Sequence, residues 1–255
     1  MKLSTFNLVA RVPVSRLMLA AAIVAVPATA SLDRSAAAAS VTPAAAEAVS
    51  DTVEATEDTS SVFESASWAE VELGAVNPQV FALALHAAAV AVDRGEAKPS
   101  TLTVIDFSRP STERRMWVYD LRSKTLLFEE LVSHGRNSGM NLAESFSNVA
   151  ESNMSSLGLY RTGEAYIGKH GYSLRLDGLD RGFNDRARER AIVIHGAEYV
   201  SAAVTKAQGR LGRSLGCPAV RPEVSRQLID AVKGGGLVFA YYPDRQWLRS
   251  SPYVS

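Results

Sequence analysis

The residue types best suited to chemistry in this chain are a histidine and a single cysteine. The sequence has 255 residues and one cysteine, Cys217, and His195 precedes it by 22 positions. A free thiol is only a few per cent ionised at neutral pH, so a nucleophilic cysteine needs a base or a cation beside it. His195 is the nearest candidate base in the sequence. The pair predicts a thiol nucleophile with a general base, and the alternative is a buried, inert cysteine.

The residues next to Cys217 predict a tight, rigid turn. Gly216 allows an unusual backbone conformation, and Pro218 biases Cys217 toward extended geometry. Backbone N–H donors are present at Gly216 and Cys217 but not at Pro218, so an oxyanion hole built from this turn would use the N-terminal side, with Gly216 as a donor. Ser214 either donates to the reaction intermediate or caps the turn.

Short apolar segments predict the strands that position this pair. The run at 191–194 is β-branched and predicts a buried strand that ends on His195 and Gly196. Further strands are predicted at 102–107, 115–121, 125–133, 158–166 and 237–242. A buried helix is expected over 79–93, with His86 packed in the core, and a second helix over 222–233. The long polar stretch from Gly135 to Gly158 is expected to be a surface loop. The pattern predicts a mainly β domain with an N-terminal helix and a short helix before the last strand.

The N-terminal composition predicts export. Residues 1–30 have a basic opening, an apolar run and a small-residue cleavage site at Ala28-Thr29-Ala30, which is typical of a signal peptide. A membrane anchor is the alternative, but the uncharged run is shorter than the roughly 20 residues that span a bilayer. We expect a disordered acidic linker over 31–75, a catalytic domain over 76–245 and a tail over 246–255. The location would be the periplasm or cell envelope, with no membrane span after cleavage.

Charge and ligand spacing limit the partner classes. A formal net charge of zero argues against a nucleic-acid partner. His134, His170, His195 and Cys217 form the only conceivable metal set, and they lack tight ligand spacings, so neither a metal nor a cofactor is predicted. His170 is expected to line the substrate cleft instead, and Tyr172 is a further candidate there.

The motifs around His195 and Cys217 resemble a known family. His195-Gly196 followed by Ser214-Leu215-Gly216-Cys217, with arginines close by, is similar to the active-site signature of the L,D-transpeptidase catalytic domain, often called the YkuD family. The segment SLGLY at 156–160 resembles a second family segment loosely, and GKHGYSLRLDGL at 168–179 is similar to a subgroup whose motif ends in Gly-Cys-Pro-Ala. The chain departs from the commonest motif at Leu215, where most members have a second histidine. The resemblance covers residues 102–242 and implies a β-sandwich or barrel.

The resemblance also implies a reaction on peptidoglycan stem peptides. Cys217 would attack the carbonyl of the third stem residue, release the terminal D-alanine and form a thioester, while the Gly196 carbonyl orients His195. An amine acceptor, such as a diamino acid side chain or a lysine of a wall-attached protein, would then give a cross-link or a tethered protein. Carbapenems would acylate the thiol. Arg213 and Arg221 would hold substrate carboxylates, with structural ion pairs as the alternative. An L,D-carboxypeptidase, a cross-link hydrolase and an inactive wall-binding module remain open.

Overall fold

One eight-stranded sheet forms the frame of the protein. The computed structural model describes residues 61–255, so the predicted signal peptide and most of the predicted linker lie outside the described residues. The strands are β1 (Thr101–Asp106), β2 (Met116–Asp120), β3 (Thr125–Glu130), β4 (Gly158–Gly168), β5 (Gly171–Gly178), β6 (Val193–Gly196), β7 (Ala219–Val220) and β8 (Leu237–Tyr241). The helices are α1 (Pro78–Asp93), α2 (Ala202–Gln208), α3 (Pro222–Val232) and α4 (Arg245–Ser250).

The strand order is β3-β2-β1-β8-β4-β5-β6-β7. Neighbouring strands are antiparallel except for β1 with β8 and β6 with β7, which are parallel. The last strand in the sequence therefore lies in the middle of the sheet. Strand β6, which carries His195, lies between β5 and β7 near the other edge.

The two edges of the sheet approach each other and nearly close it into a barrel. Beyond β3, the Ser133 N–H donates to the carbonyl of Ala219 in β7 at 2.9 Å. Glu130 at the end of β3 accepts two hydrogen bonds from Arg221, which follows β7. The predicted mainly β sandwich or barrel with an N-terminal helix is confirmed.

Helix α1 begins where the sequence predicts and packs against the sheet. The Asn77 side chain accepts from the backbone of Gln79 at 2.8 Å and of Val80 at 3.3 Å, and Pro78 occupies the first turn. Its alanine-rich face is buried in the core. The prediction that His86 packs in the core is wrong, because His86 lies on the opposite, exposed face.

The packed structure extends beyond the predicted domain on both sides. Within the stretch predicted as linker, Trp68 is buried and its ring packs edge-on against Phe81 and Tyr119. Within the predicted tail, Trp247 of α4 and Tyr253 are buried in the same core. Aromatic side chains of this size contribute several kcal/mol by burial, roughly 2 kcal/mol or more each, so these segments stabilise the domain.

Candidate active site

His195 is held at the end of β6 by its neighbours in the sheet. It pairs with Ser173 of β5 on one side and with Ala219 of β7 on the other. Its Nδ1 lies 2.9 Å from the carbonyl oxygen of Gly196. Because a carbonyl only accepts, Nδ1 carries the proton and Nε2 has the free lone pair. The histidine is therefore arranged to receive a proton at Nε2.

Cys217 lies on a turn that is held by hydrogen bonds within the turn and by one from the neighbouring loop. The Ser214 hydroxyl donates to the Cys217 carbonyl at 2.6 Å and accepts from the Gly216 N–H at 3.0 Å. The Gly216 carbonyl accepts from the Ser155 hydroxyl at 3.1 Å. Gly216 has a φ of +124°, and a Cβ there would lie 2.8 Å from the Met154 carbonyl. Only glycine fits this position without moving the turn.

These bonds correct one predicted role in the turn. The Gly216 N–H was expected to donate to an oxyanion, but it donates to Ser214. Within residues 61–255, the Cys217 N–H is bonded to no other residue. The Cys217 N–H is therefore a backbone donor of the turn that remains available.

One pocket of about 140 Å³ contains both reactive side chains. It is lined by His170, His195, Tyr199, Arg213, Ser214, Leu215 and Cys217. Of the residues predicted from the sequence, His170, Arg213 and Ser214 lie here with His195 and Cys217. The imidazole rings of His170 and His195 are stacked, with centroids 4.4 Å apart and an interplanar angle of 22°.

The electrostatics of the pocket favour neutral forms of both groups. Burial raises the pKa of the Cys217 thiol, although the Val193 N–H and the charges of Arg190 and Lys169 partly oppose the shift. Burial and the neighbouring His170 lower the pKa of His195, while its bond to Gly196 acts in the opposite direction. A neutral thiol beside a neutral imidazole is the expected resting state.

Arg213 lies at the pocket and also anchors the long polar loop. Its Nη1 donates to the carbonyls of Arg136 at 2.9 Å and Gly139 at 3.0 Å. The same Nη1 also donates to the sulfur of Met140. Within residues 61–255, the Nε and Nη2 donors are unbonded, so they are available to an anion.

Two residues predicted to bind substrate point elsewhere. Arg221 forms a two-bond ion pair with Glu130, at 2.9 and 2.6 Å, which matches the structural alternative. Tyr172 donates to Asp230 of α3 at 2.7 Å, and its ring lies under the Arg226 guanidinium. Neither residue lines the pocket, so neither is retained as a substrate-binding residue.

Arg190 is a residue of the site that the sequence did not reveal. Arg190 is half-buried and donates to the carbonyls of Ser147 and Met154, both at 2.7 Å. It also donates to the hydroxyls of Ser152 and Ser156. The serine-rich composition of the loop was the available signal, because closely spaced carbonyls and hydroxyls suit a guanidinium.

His134 lies behind the turn and not in the pocket. Its Nδ1 is 2.8 Å from the guanidinium of the buried Arg115, and burial together with this charge lowers its pKa to about 4. The backbone carbonyl of His134 accepts from the Ser214 N–H at 3.0 Å, which joins the turn to the segment that follows β3. Among residues 61–255, no group of three or more His, Cys, Asp or Glu side chains is arranged to hold a metal.

Comparison with known proteins identifies a family for this chain. A family profile described as the L,D-transpeptidase catalytic domain matches residues 72–241, which is more than half of the chain. The chain belongs to this family. Placement in the Gly-Cys-Pro-Ala subgroup of L,D-transpeptidase domains stays a prediction. Among curated proteins, none matches the chain.

Solved structures with a similar fold are distant in sequence. An L,D-transpeptidase from Mycobacterium smegmatis is 14% identical, with a TM-score of 0.35 over 56% of this chain and 59% of that one. The helical cell shape determining protein Pgp2 from Campylobacter jejuni is 15% identical, with a TM-score of 0.37 over 57% of this chain and 49% of that one. The chain spans less than two thirds of the length of either structure. In residues 61–255, no helix of this L,D-transpeptidase domain is long and apolar enough to cross a membrane.

Proposed function

We propose that the protein is an exported L,D-transpeptidase, a cysteine acyltransferase that acts on peptidoglycan stem peptides. Cys217 is the nucleophile and His195 the general base in this proposal. The observation that carries it is that both side chains line one pocket while the Gly196 carbonyl fixes the proton of His195 on Nδ1. The proposed location, the periplasm or cell envelope, rests on the export pattern of residues 1–30.

Acylation begins with transfer of the thiol proton from Sγ to Nε2 of His195. The sulfur attacks the carbonyl carbon of the third stem residue, and the C–N bond to the terminal D-alanine breaks. The leaving amine takes the proton from His195, and a thioester remains on Cys217. An amine acceptor then loses a proton to His195 and attacks the thioester, which forms a new amide and restores the thiol.

The electrostatics of the pocket support proton transfer during the attack. Since both groups favour their neutral forms at rest, a preformed thiolate–imidazolium pair is disfavoured. The charges of Arg190 and Lys169 stabilise the thiolate as it develops. The Cys217 N–H takes the oxyanion role that Gly216 cannot fill.

The substrate-binding residue of the proposal is Arg213, while His170 lines the pocket beside His195. The free Nε and Nη2 donors of Arg213 suit a carboxylate of the stem peptide. Ser214 serves as the cap of the turn, since its hydroxyl is used in two bonds inside it. Leu215 is exposed at the pocket wall, so the acceptor side of the site is more apolar than one with histidine there.

The test is incubation of the mature protein with purified disaccharide-tetrapeptides, with and without an amine acceptor, followed by mass analysis. A dimer or an amine adduct with loss of D-alanine supports the transpeptidase. A shortened stem alone identifies an L,D-carboxypeptidase that uses the same site, and cleavage of purified cross-linked dimers identifies the cross-link hydrolase.

Cys217→Ser and His195→Ala should each reduce D-alanine release by roughly a thousandfold or more, with little change in thermal stability. Tyr172→Phe is the control, because its ring lies outside the pocket and its activity should stay near that of the parent. A carbapenem should add one adduct on Cys217 by intact mass. A folded protein that gives no adduct and no product would point to the inactive wall-binding module.

A further inference from the structure

The tip of the hairpin between β4 and β5 lies over the proposed base. Gly168 pairs with Gly171, so Lys169 and His170 form a two-residue tip. The His170 ring is stacked on His195, although the residue itself is exposed. The described part of the chain shows no hydrogen bond from the His170 ring, so ring stacking is its principal contact.

The sheet register places this tip. Ser173 of β5 pairs with His195 of β6, and His170 lies three residues before Ser173 at the end of the same hairpin. A shift of this register by one residue would turn the β5 side chains to the other face. The stacking is therefore fixed by the same strand pairing that positions His195.

Stacking supplies a restraint that the Gly196 bond does not. The hydrogen bond at Nδ1 fixes one edge of the His195 ring, but the ring can still tilt about that edge, since terminal sp³–sp² torsions are broad. A second aromatic ring at 4.4 Å with a 22° angle limits the tilt and covers one face from water.

We propose that His170 is a positioning residue for His195, which holds the plane of the base ring and excludes water from its face. This inference rests on the proposed role of His195 as base. It also predicts that His170 lowers the pKa of His195 through charge across this short gap.

Several other groups lie near His195 and could affect its protonation. The ionisable side chains that share its pocket are His170, Tyr199, Arg213 and Cys217. Helix α3 places the uncharged Ser225 and Pro222 against Gly196. Of these groups, His170 is the one that acts on the protonation of His195 through charge.

The experiment is a histidine NMR titration of the full chain and of three variants. The chain has four histidines, so His195→Ala assigns the signal of interest. His170→Phe keeps a stacked ring without charge, and His170→Ala removes the ring. Ile167→Ala is the control, because it alters an exposed side chain of the same hairpin. We expect the pKa of His195 to rise in His170→Phe and to rise further in His170→Ala, with no change in the control.

The same variants give a kinetic readout. His170→Ala should lower the rate of D-alanine release about tenfold and move the acidic limb of the pH–rate profile to higher pH, whereas His170→Phe should stay within about threefold of the parent. A folded His170→Ala with the parent's His195 titration would overturn the proposal. Equal loss of rate in the Phe and Ala variants would overturn it too.

A failure of the proposed function would be seen in the activity of a different variant. If Cys217→Ser retained activity, the transpeptidase assignment would fail. The NMR titration would still decide whether His170 positions His195, because it needs no substrate.

Discussion

At the scale of single residues, the site stores its thiol in the protonated form. Cys217 is partly buried, and the nearby charges of Arg190 and Lys169 only partly offset the loss of solvation of its thiolate. Burial also lowers the pKa of His195, so the neutral form is favoured at both side chains.

This state predicts slow alkylation of the thiol at neutral pH. Because the pKa of Cys217 lies above its ordinary value, the thiolate fraction is lower than in a free cysteine, and iodoacetamide should react several-fold more slowly at pH 7 than with the same protein in denaturant. The rate should rise through an inflection above about pH 8.5. The alkylation rate is measured by intact mass. Because the chain has a single cysteine, the same protein in denaturant serves as the control. An inflection below pH 7 would show a preformed ion pair instead.

The shared pocket of His195 and Cys217 was predictable from residues, whereas its surroundings were not. His195 and Cys217 are residue types with distinctive chemistry, and each lies in a short motif. The partner of Arg221 lies 91 positions upstream at Glu130, and no local pattern shows which arginine will find such a partner. The Gly216 N–H was assigned to an oxyanion because the competing acceptor, Ser214, becomes visible only when the turn folds.

At the scale of elements, the long loop from Gly135 to Gly158 supports the reactive turn. Ser155 accepts from the Gly135 N–H at 3.0 Å and donates to the Gly216 carbonyl, so one hydroxyl joins loop and turn. Arg190 holds the loop through carbonyls and hydroxyls, and it has no carboxylate partner within residues 61–255. The loop is thus fixed to the same segment that leads into β6.

Arg190→Met should loosen this support and weaken the site. We expect a loss of roughly 2 kcal/mol in the free energy of unfolding, because loop acceptors lose their charged donor. D-alanine release should fall about tenfold or more as the turn shifts, and the thiol alkylation inflection should move to higher pH. Denaturant unfolding, the muropeptide assay and alkylation kinetics measure these effects.

Arg186→Met is the matched control for Arg190→Met, since Arg186 pairs only with Glu189 by its side chain at the surface. Equal effects of the two substitutions would contradict the supporting role of Arg190.

Most helices and strands could be predicted from the sequence pattern. There are physical reasons why the others could not. The main strands and helices α1 and α3 have strong apolar periodicity or clear caps. Strand β5 carries Arg175 and Asp177 on its outer face, where they pair with Glu164 and Arg188, and such charges resemble a loop. Strand β7 has two residues and forms only because β6 and the segment beyond β3 lie beside it.

At the scale of the whole molecule, one ion pair joins the two ends of the sheet. Glu130 ends β3 at one edge and Arg221 follows β7 at the other, with side-chain exposures of 9% and 32%. A mostly buried carboxylate that loses its partner is costly, because its charge is no longer compensated. The pair thereby favours the nearly closed form of the sheet.

Arg221→Leu should lower the free energy of unfolding by roughly 2 kcal/mol, since Glu130 would be left unpaired. Activity per folded molecule should change less than threefold, because Arg221 does not line the pocket. Denaturant unfolding and the muropeptide assay check both statements. Lys233→Ala is the control, as its ion pair with Asp230 is about half exposed and should contribute much less to the free energy of unfolding. A large loss of activity in the folded Arg221 variant would return this residue to the substrate site.

The central place of β8 has a consequence for how the chain acquires its structure. Strands β1 to β3 and strands β4 to β7 form two groups that meet through β8, which pairs with β1 on one side and β4 on the other. Until Leu237–Tyr241 has been synthesised, neither group has the strand that joins it to the other. Non-local pairing of this kind delays completion of the sheet. A nascent chain would therefore stay open until β8 has been made, which suits the export proposed for this protein.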